Sequence, residues 1–108
     1  MVATERISMT EKELAIAVKL SCQRALLGEI TPNIRLITIE WNDLKDLYFK
    51  VYYDTPPSEE NIGDMETVIG EIFADIPFEK DHGAECVYDI RPINQLELYK
   101  WVAYARKE

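Results

Sequence analysis

The stretch "NIRLITIEWNDLKDLYFKVYYD", residues 33–54, decides the fold. In its first half Ile37, Ile39 and Trp41 alternate with Leu36, Thr38 and Glu40. Successive strand side chains point to opposite faces, so this period of two, rich in β-branched residues, predicts a strand. "NDLKD" at 42–46 interrupts it with turn formers. The second half alternates again, with Leu47, Phe49, Val51 and Tyr53 on one face and Tyr48, Lys50 and Tyr52 on the other. Two such runs across a short polar turn predict an antiparallel hairpin.

Working outward, a helix is expected on each side of the hairpin. Thr10-Glu11-Lys12-Glu13 has capping-box form, in which the Thr hydroxyl and the Glu13 carboxylate satisfy each other's backbone N–H groups. Leu14, Ala17, Val18, Ser21, Cys22 and Ala25 then form one stripe, and Ile16, Leu20 and Leu27 a second. A helix apolar on two sides is expected to be buried on two sides. Gly28 and Thr31-Pro32-Asn33 stop it. After the hairpin, "TPPSEE" opens a second helix, with Ser58 as cap and Glu59 and Glu60 at the positive end of the dipole. Ile62, Met65, Ile69, Ile72, Phe73 and Ile76 make its apolar face, and Pro77 ends it.

"DHGAECVYDIRP" reads as a turn at Gly83 followed by a strand from Glu85 to Arg91. Residues 96–106 fit a helix through Leu98, Trp101, Val102 and Ala105, or a strand through Tyr99, Trp101, Ala103 and Ala105. Their aromatic content favours the strand. The expectation is an α+β two-layer sandwich in the order α-β-β-α-β-β, whose four-stranded, mostly antiparallel sheet carries two helices on one face. One domain over residues 1–108 is expected, with 1–9 as a flexible tail.

Charge separates the classes of partner. The net charge is −8, against direct nucleic-acid binding and against an anionic membrane surface. The distribution says more. Between Asp54 and Asp89 lie eleven acids and one base, Lys80, a balance of −10, whereas the rest of the chain is +2. No apolar run approaches the roughly 20 residues that span a bilayer. "MVATERISMTEKE" lacks the apolar core and cleavage site of a secretory signal, so a cytoplasmic address is expected. Cys22 and Cys86 have no metal-type spacing and read as reduced, buried thiols.

No motif carries catalysis. His82, the single histidine, sits between Asp81 and Gly83 in a polar stretch and reads as a solvated loop residue. Ser8, Ser21, Ser58, Cys22 and Cys86 occupy a tail, helix faces, a cap or an isolated position, none of them a nucleophile elbow. Glu79, Asp81, His82 and Glu85 are the candidate cation ligands of a metal-dependent enzyme. Their spacing fits no calcium loop, and no cofactor or metal is expected. Gly63 and Gly70 lie inside the second helix, where each costs about 1 kcal/mol relative to Ala. Close packing on the sheet is the expected reason. Tyr48, Tyr52 and Trp101 are either packed or an aromatic patch on an open sheet face, the kind of surface that anchors interfaces.

The run "CQRALLGEITPNIRLITIEW", then "LYFKVYYD" and "SEENIGDMETVIGEIFADIP", resembles the small stand-alone bacterial immunity proteins of contact-dependent and polymorphic toxin systems. That resemblance implies a non-enzymatic cytoplasmic protein that neutralises a cognate toxin domain, often a basic nuclease, by direct binding. The expected partner-binding residues are Glu59, Glu60, Asp64, Glu66, Glu71 and Asp75, with Tyr48, Tyr52 and Trp101 as anchors. A homodimeric scaffold paired through Ile16, Leu20 and Leu27 is the alternative, so the protein is expected to be a monomer or a homodimer.

Overall fold

The computed structural model describes residues 9–108. The expected tail therefore lies, but for Met9, outside the described residues. Helix α1 (Glu11–Ala25) starts at the capping box: the Glu13 amide donates to Thr10 Oγ1 at 3.1 Å, and the Thr10 amide donates to the Glu13 carboxylate at 3.0 Å. Strands β1 (Ile34–Asn42) and β2 (Asp46–Tyr53) form the hairpin, with Ile37 opposite Val51 and Ile39 opposite Phe49. Asp43 takes φ 51° in the tight connection, a left-handed conformation that Asp tolerates. Helix α2 (Glu59–Asp75) is capped reciprocally by Ser58 and Asn61. Strand β3 (Lys80–Tyr88), a 3₁₀ turn (Ile93–Gln95) and strand β4 (Trp101–Ala105) complete the order α-β-β-α-β-β.

The sheet order is β3-β2-β1-β4. β1 runs antiparallel to β2 and β4, and β2 runs parallel to β3. Parallel neighbours need a crossover, and α2 supplies it. One core joins Leu14, Val18 and Cys22 of α1 and Met65, Ile69 and Ile72 of α2 to Ile37, Ile39, Phe49 and Val51. The fold is therefore α+β, with a mostly antiparallel sheet. Cys22 is buried and reduced, its thiol pushed up to about 12 by that burial; Cys86 is also free and half-buried.

Three expectations need correction. Gly83 is no turn before a strand at Glu85–Arg91; it lies within β3, which begins pairing at Lys80 and ends at Tyr88. Its φ of +76° absorbs an extra residue between the Leu47 and Phe49 registers, as a bulge does. The Ala84 amide donates there to the Glu66 carboxylate at 3.2 Å. Next, only Trp101–Ala105 of residues 96–106 forms a strand. The preceding segment instead crosses the sheet face opposite the helices, where Leu96 packs on Leu36 and Tyr52. Finally, α1 is covered on one side only, since Ile16, Leu20 and Leu27 are 52%, 56% and 77% exposed.

Gly63 and Gly70 also depart from expectation. A Cβ at either position meets nothing within 4 Å, so sheet packing does not require them. The helical penalty of glycine is then uncompensated in the isolated chain. Gly63→Ala and Gly70→Ala are each expected to stabilise it by about 1 kcal/mol, read as a higher urea midpoint at unchanged slope.

Arg35 ties the ends of the sheet together. Its side chain is 5% exposed. Nη1 donates to the carbonyls of Asp89 and Arg91, each at 2.7 Å. Nε and Nη2 clamp both oxygens of Glu108 at 2.8 and 2.7 Å. A buried guanidinium needs this complete set of acceptors.

Candidate partner-binding surfaces

On α2, the residues that face the sheet are Met65, Val68, Ile69 and Ile72. Glu59, Glu60, Glu66, Glu71 and Asp75 are exposed, and Asp64 is half-buried. The acids differ in what they already hold. Asp75 accepts from Ser21 Oγ at 2.7 Å and from Arg24 Nη2 at 3.2 Å, joining α2 to α1. The Ser21 hydrogen bond and then Arg24 hold its carboxyl below the usual range. Glu66 is occupied by the β3 bulge. Glu59, Glu60, Asp64 and Glu71 make no side-chain hydrogen bond or ion pair among the described residues. Glu60, Asp64 and Glu71, at i, i+4 and i+11, form one line along the helix.

The aromatic residues do not join that line. Tyr52 is 2% exposed, under Leu96, and its hydroxyl donates to the Glu97 carbonyl at 2.8 Å. It is buried because the chain between β3 and β4 roofs the face that the sequence left open. Tyr48 lies on that same face, away from α2. His82 stacks on it with centroids 4.3 Å apart and planes 10° from parallel. The His82 Nε2 meets the Asp46 carboxylate at 2.9 Å, which holds the Asp46 carboxyl below its ordinary value. His82 is thus a strand residue with a ring partner and an acid partner. Trp101 lies on β4, at the opposite edge of the sheet from β3.

Residues 79–85 run into and along β3, so neighbours point to opposite faces. Among the described residues no three His, Cys, Asp or Glu side chains come together in a way that suits a metal ion. Asp81 accepts from the Gly83 amide at 3.0 Å, and Glu85 approaches Lys50 at 3.8 Å. Lys50 itself lies 3.1 Å from Glu97. Burial alone lowers the Lys50 pKa, but the hydrogen bonds to Glu97 and Tyr52 and the charge of Glu85 raise it overall.

A second surface was only partly legible in the sequence. Ile16 and Leu20 form the crest of α1, directly opposite its buried stripe, and Leu27 in the turn that follows extends the exposed apolar patch. Leu20 is one turn from Arg24, which holds α2 through Asp75. The apolar crest therefore adjoins the α1–α2 seam. Beyond it, Lys12, Lys19, Lys100, Trp41 and Trp101 line a groove. Nothing but tertiary structure brings Lys100 and Trp41 to α1. The spacing of Lys12 and Lys19 on one side of a helix was the available signal.

Among the described residues, no helix is long and apolar enough to cross a membrane. No curated protein matches the chain. The MafI2 immunity protein family model matches residues 15–108, from within α1 to the residue clamped by Arg35. This run takes in the hairpin, the acidic helix and all four strands, and the chain belongs to the MafI2 immunity protein family.

Proposed function

We infer that the chain neutralises a cognate toxin domain by binding it directly and catalyses nothing, and that the bound toxin surface is basic and nuclease-type. The observation that carries this reading is the line of uncommitted carboxylates, Glu60, Asp64 and Glu71, on a segment of balance −10 in a chain otherwise +2. Lys and Arg that grip a nucleic-acid backbone are the natural complement of such a line. The crest of α1, with Ile16, Leu20 and Leu27, supplies the apolar area that a charged patch lacks. These residues replace Tyr52 as anchors. The complex forms in the cytoplasm, and the immunity protein makes no nucleic-acid contact of its own.

The test is inhibition of the purified cognate toxin domain. One equivalent of the immunity protein is expected to abolish toxin activity, and prior saturation of the toxin with DNA or RNA is expected to slow complex formation. A toxin that stays active in the presence of excess protein overturns the reading. Gly70→Ala sharpens it: a methyl on the crest of α2 is expected to weaken toxin binding while stabilising the free protein.

The exposed crest of α1 also favours a second reading, a homodimer paired through Ile16, Leu20 and Leu27. Sedimentation at micromolar concentration separates the two. A dimer broken by Leu20→Glu supports the second; a monomer supports the first.

A further inference from the structure

Each described arginine of this acidic chain has a carboxylate partner: Arg24, Arg35, Arg91 and Arg106 hold Asp75, Glu108, Asp89 and Asp54 at 3.2 Å or closer. Lys12, Lys19 and Lys100 hold none among the described residues. These three lysines line one groove of about 350 Å³ between the first turns of α1 and the β1–β4 edge, with Glu11 at its rim. Two of the ammonium groups are pre-positioned over indole rings. Lys100 Nζ sits 4.7 Å from the Trp41 ring centre and donates to the Trp41 carbonyl at 3.2 Å. Lys19 Nζ sits 5.6 Å from the Trp101 ring centre.

We propose that this groove binds an acidic segment of a protein partner, with Lys12, Lys19 and Lys100 receiving its carboxylates and the half-buried Trp101, above the core residue Trp41, receiving an apolar side chain. Three cations against one carboxylate leave the groove positive within a negatively charged molecule. Positive potential here therefore depends on close-range groups and selects a ligand that docks at the groove itself. Cations already ordered over aromatic rings lose little rotamer freedom when an anion arrives. A long phosphate backbone carries its charge beyond the groove into the field of the −8 chain, whereas a short acidic peptide confines its charge to the groove, which favours the peptide. The site lies on the far side of α1 from α2, away from the proposed toxin contact at Glu60, Asp64 and Glu71 but next to the crest residues Ile16 and Leu20.

The chain has two tryptophans, and both line the groove, so intrinsic fluorescence reads the site without a label. The probe is the peptide acetyl-Glu-Glu-Leu-Glu-Glu-amide, titrated into the full chain at low salt with calorimetry alongside. A saturable emission change, weakened at least tenfold by Lys12→Glu with Lys19→Glu and absent for the Gln-for-Glu peptide, is the expected result. Neither substitution touches Lys100 or Trp41, and circular dichroism of the double variant verifies the fold; Lys12→Gln with Lys19→Gln serves if it does not. No response up to millimolar peptide overturns the proposal, as does an equal response in the double variant. So does an equal response to a short oligonucleotide, or concentration-dependent self-association abolished by the same variant, which would make the occupant a second copy's α2.

Discussion

Replacing Glu60, Asp64 and Glu71 together by lysine is expected to slow association with the toxin by roughly ten- to a hundredfold at low salt. The three positions lie on one line of α2 and hold no intramolecular partner among the described residues. The change therefore removes steering without removing a structural contact. Stopped-flow mixing reads the on-rate. The salt dependence, steep for the parent, is expected to flatten in the variant, because screening beyond about 8 Å at physiological salt removes the same long-range attraction. Dissociation is expected to change less, since rim charges act mainly on encounter. The triple Gln variant is expected to fall between the two. On-rates identical to the parent's in both variants would remove α2 from the interface.

Arg35→Ala is expected to destabilise the fold by about 2–4 kcal/mol, chiefly the cost of leaving two backbone carbonyls without their donor, since the part-exposed Glu108 keeps Arg106. Two backbone carbonyls, of Asp89 and Arg91, lose their donor where the chain leaves β3, and Glu108 loses its clamp. Chemical unfolding reads the loss. The acid limb of stability carries a second signature. Arg35 is the main cause that holds the Glu108 carboxyl down at about 2, from an ordinary 4.5, with Arg106 adding to it. A carboxyl depressed on folding stabilises above its unfolded value, and that stabilisation drains as pH falls towards 2. In Arg35→Ala that loss of stability between pH 4.5 and 2 is expected to shrink, because only Arg106 is left to hold the Glu108 carboxyl down. A conservative Arg35→Lys restores one charge but not the fork that reaches two carbonyls and both carboxylate oxygens, so only partial recovery is expected.

Local chemistry was enough to place most elements. The period of two in residues 36–41 and 47–53 forces the hairpin register, because slipping by one residue would turn Ile37, Ile39, Phe49 and Val51 out of the core. The capping residues Thr10 and Ser58 start both helices where the sequence places them. The anionic surface of α2 follows from helical spacing alone. Gly83 was misleading for a physical reason: a glycine with positive φ serves a turn and a bulge equally well, and only the parallel partner β2 distinguishes them.

The sequence by itself determined the α+β class, the order of the elements, most of the sheet-facing residues (Val68 in place of Ile62 excepted) and the acidic face of α2, because each depends on neighbours within a few residues. Tertiary structure alone decided which carboxylates are spent on Ser21, Arg24 and the β3 bulge, and that the segment before β4 buries Tyr52. It also decided that Lys100 and Trp41 meet Lys12 and Lys19 in one groove. Those outcomes hang on where distant segments cross, and periodicity within one segment holds no record of what a remote one will cover.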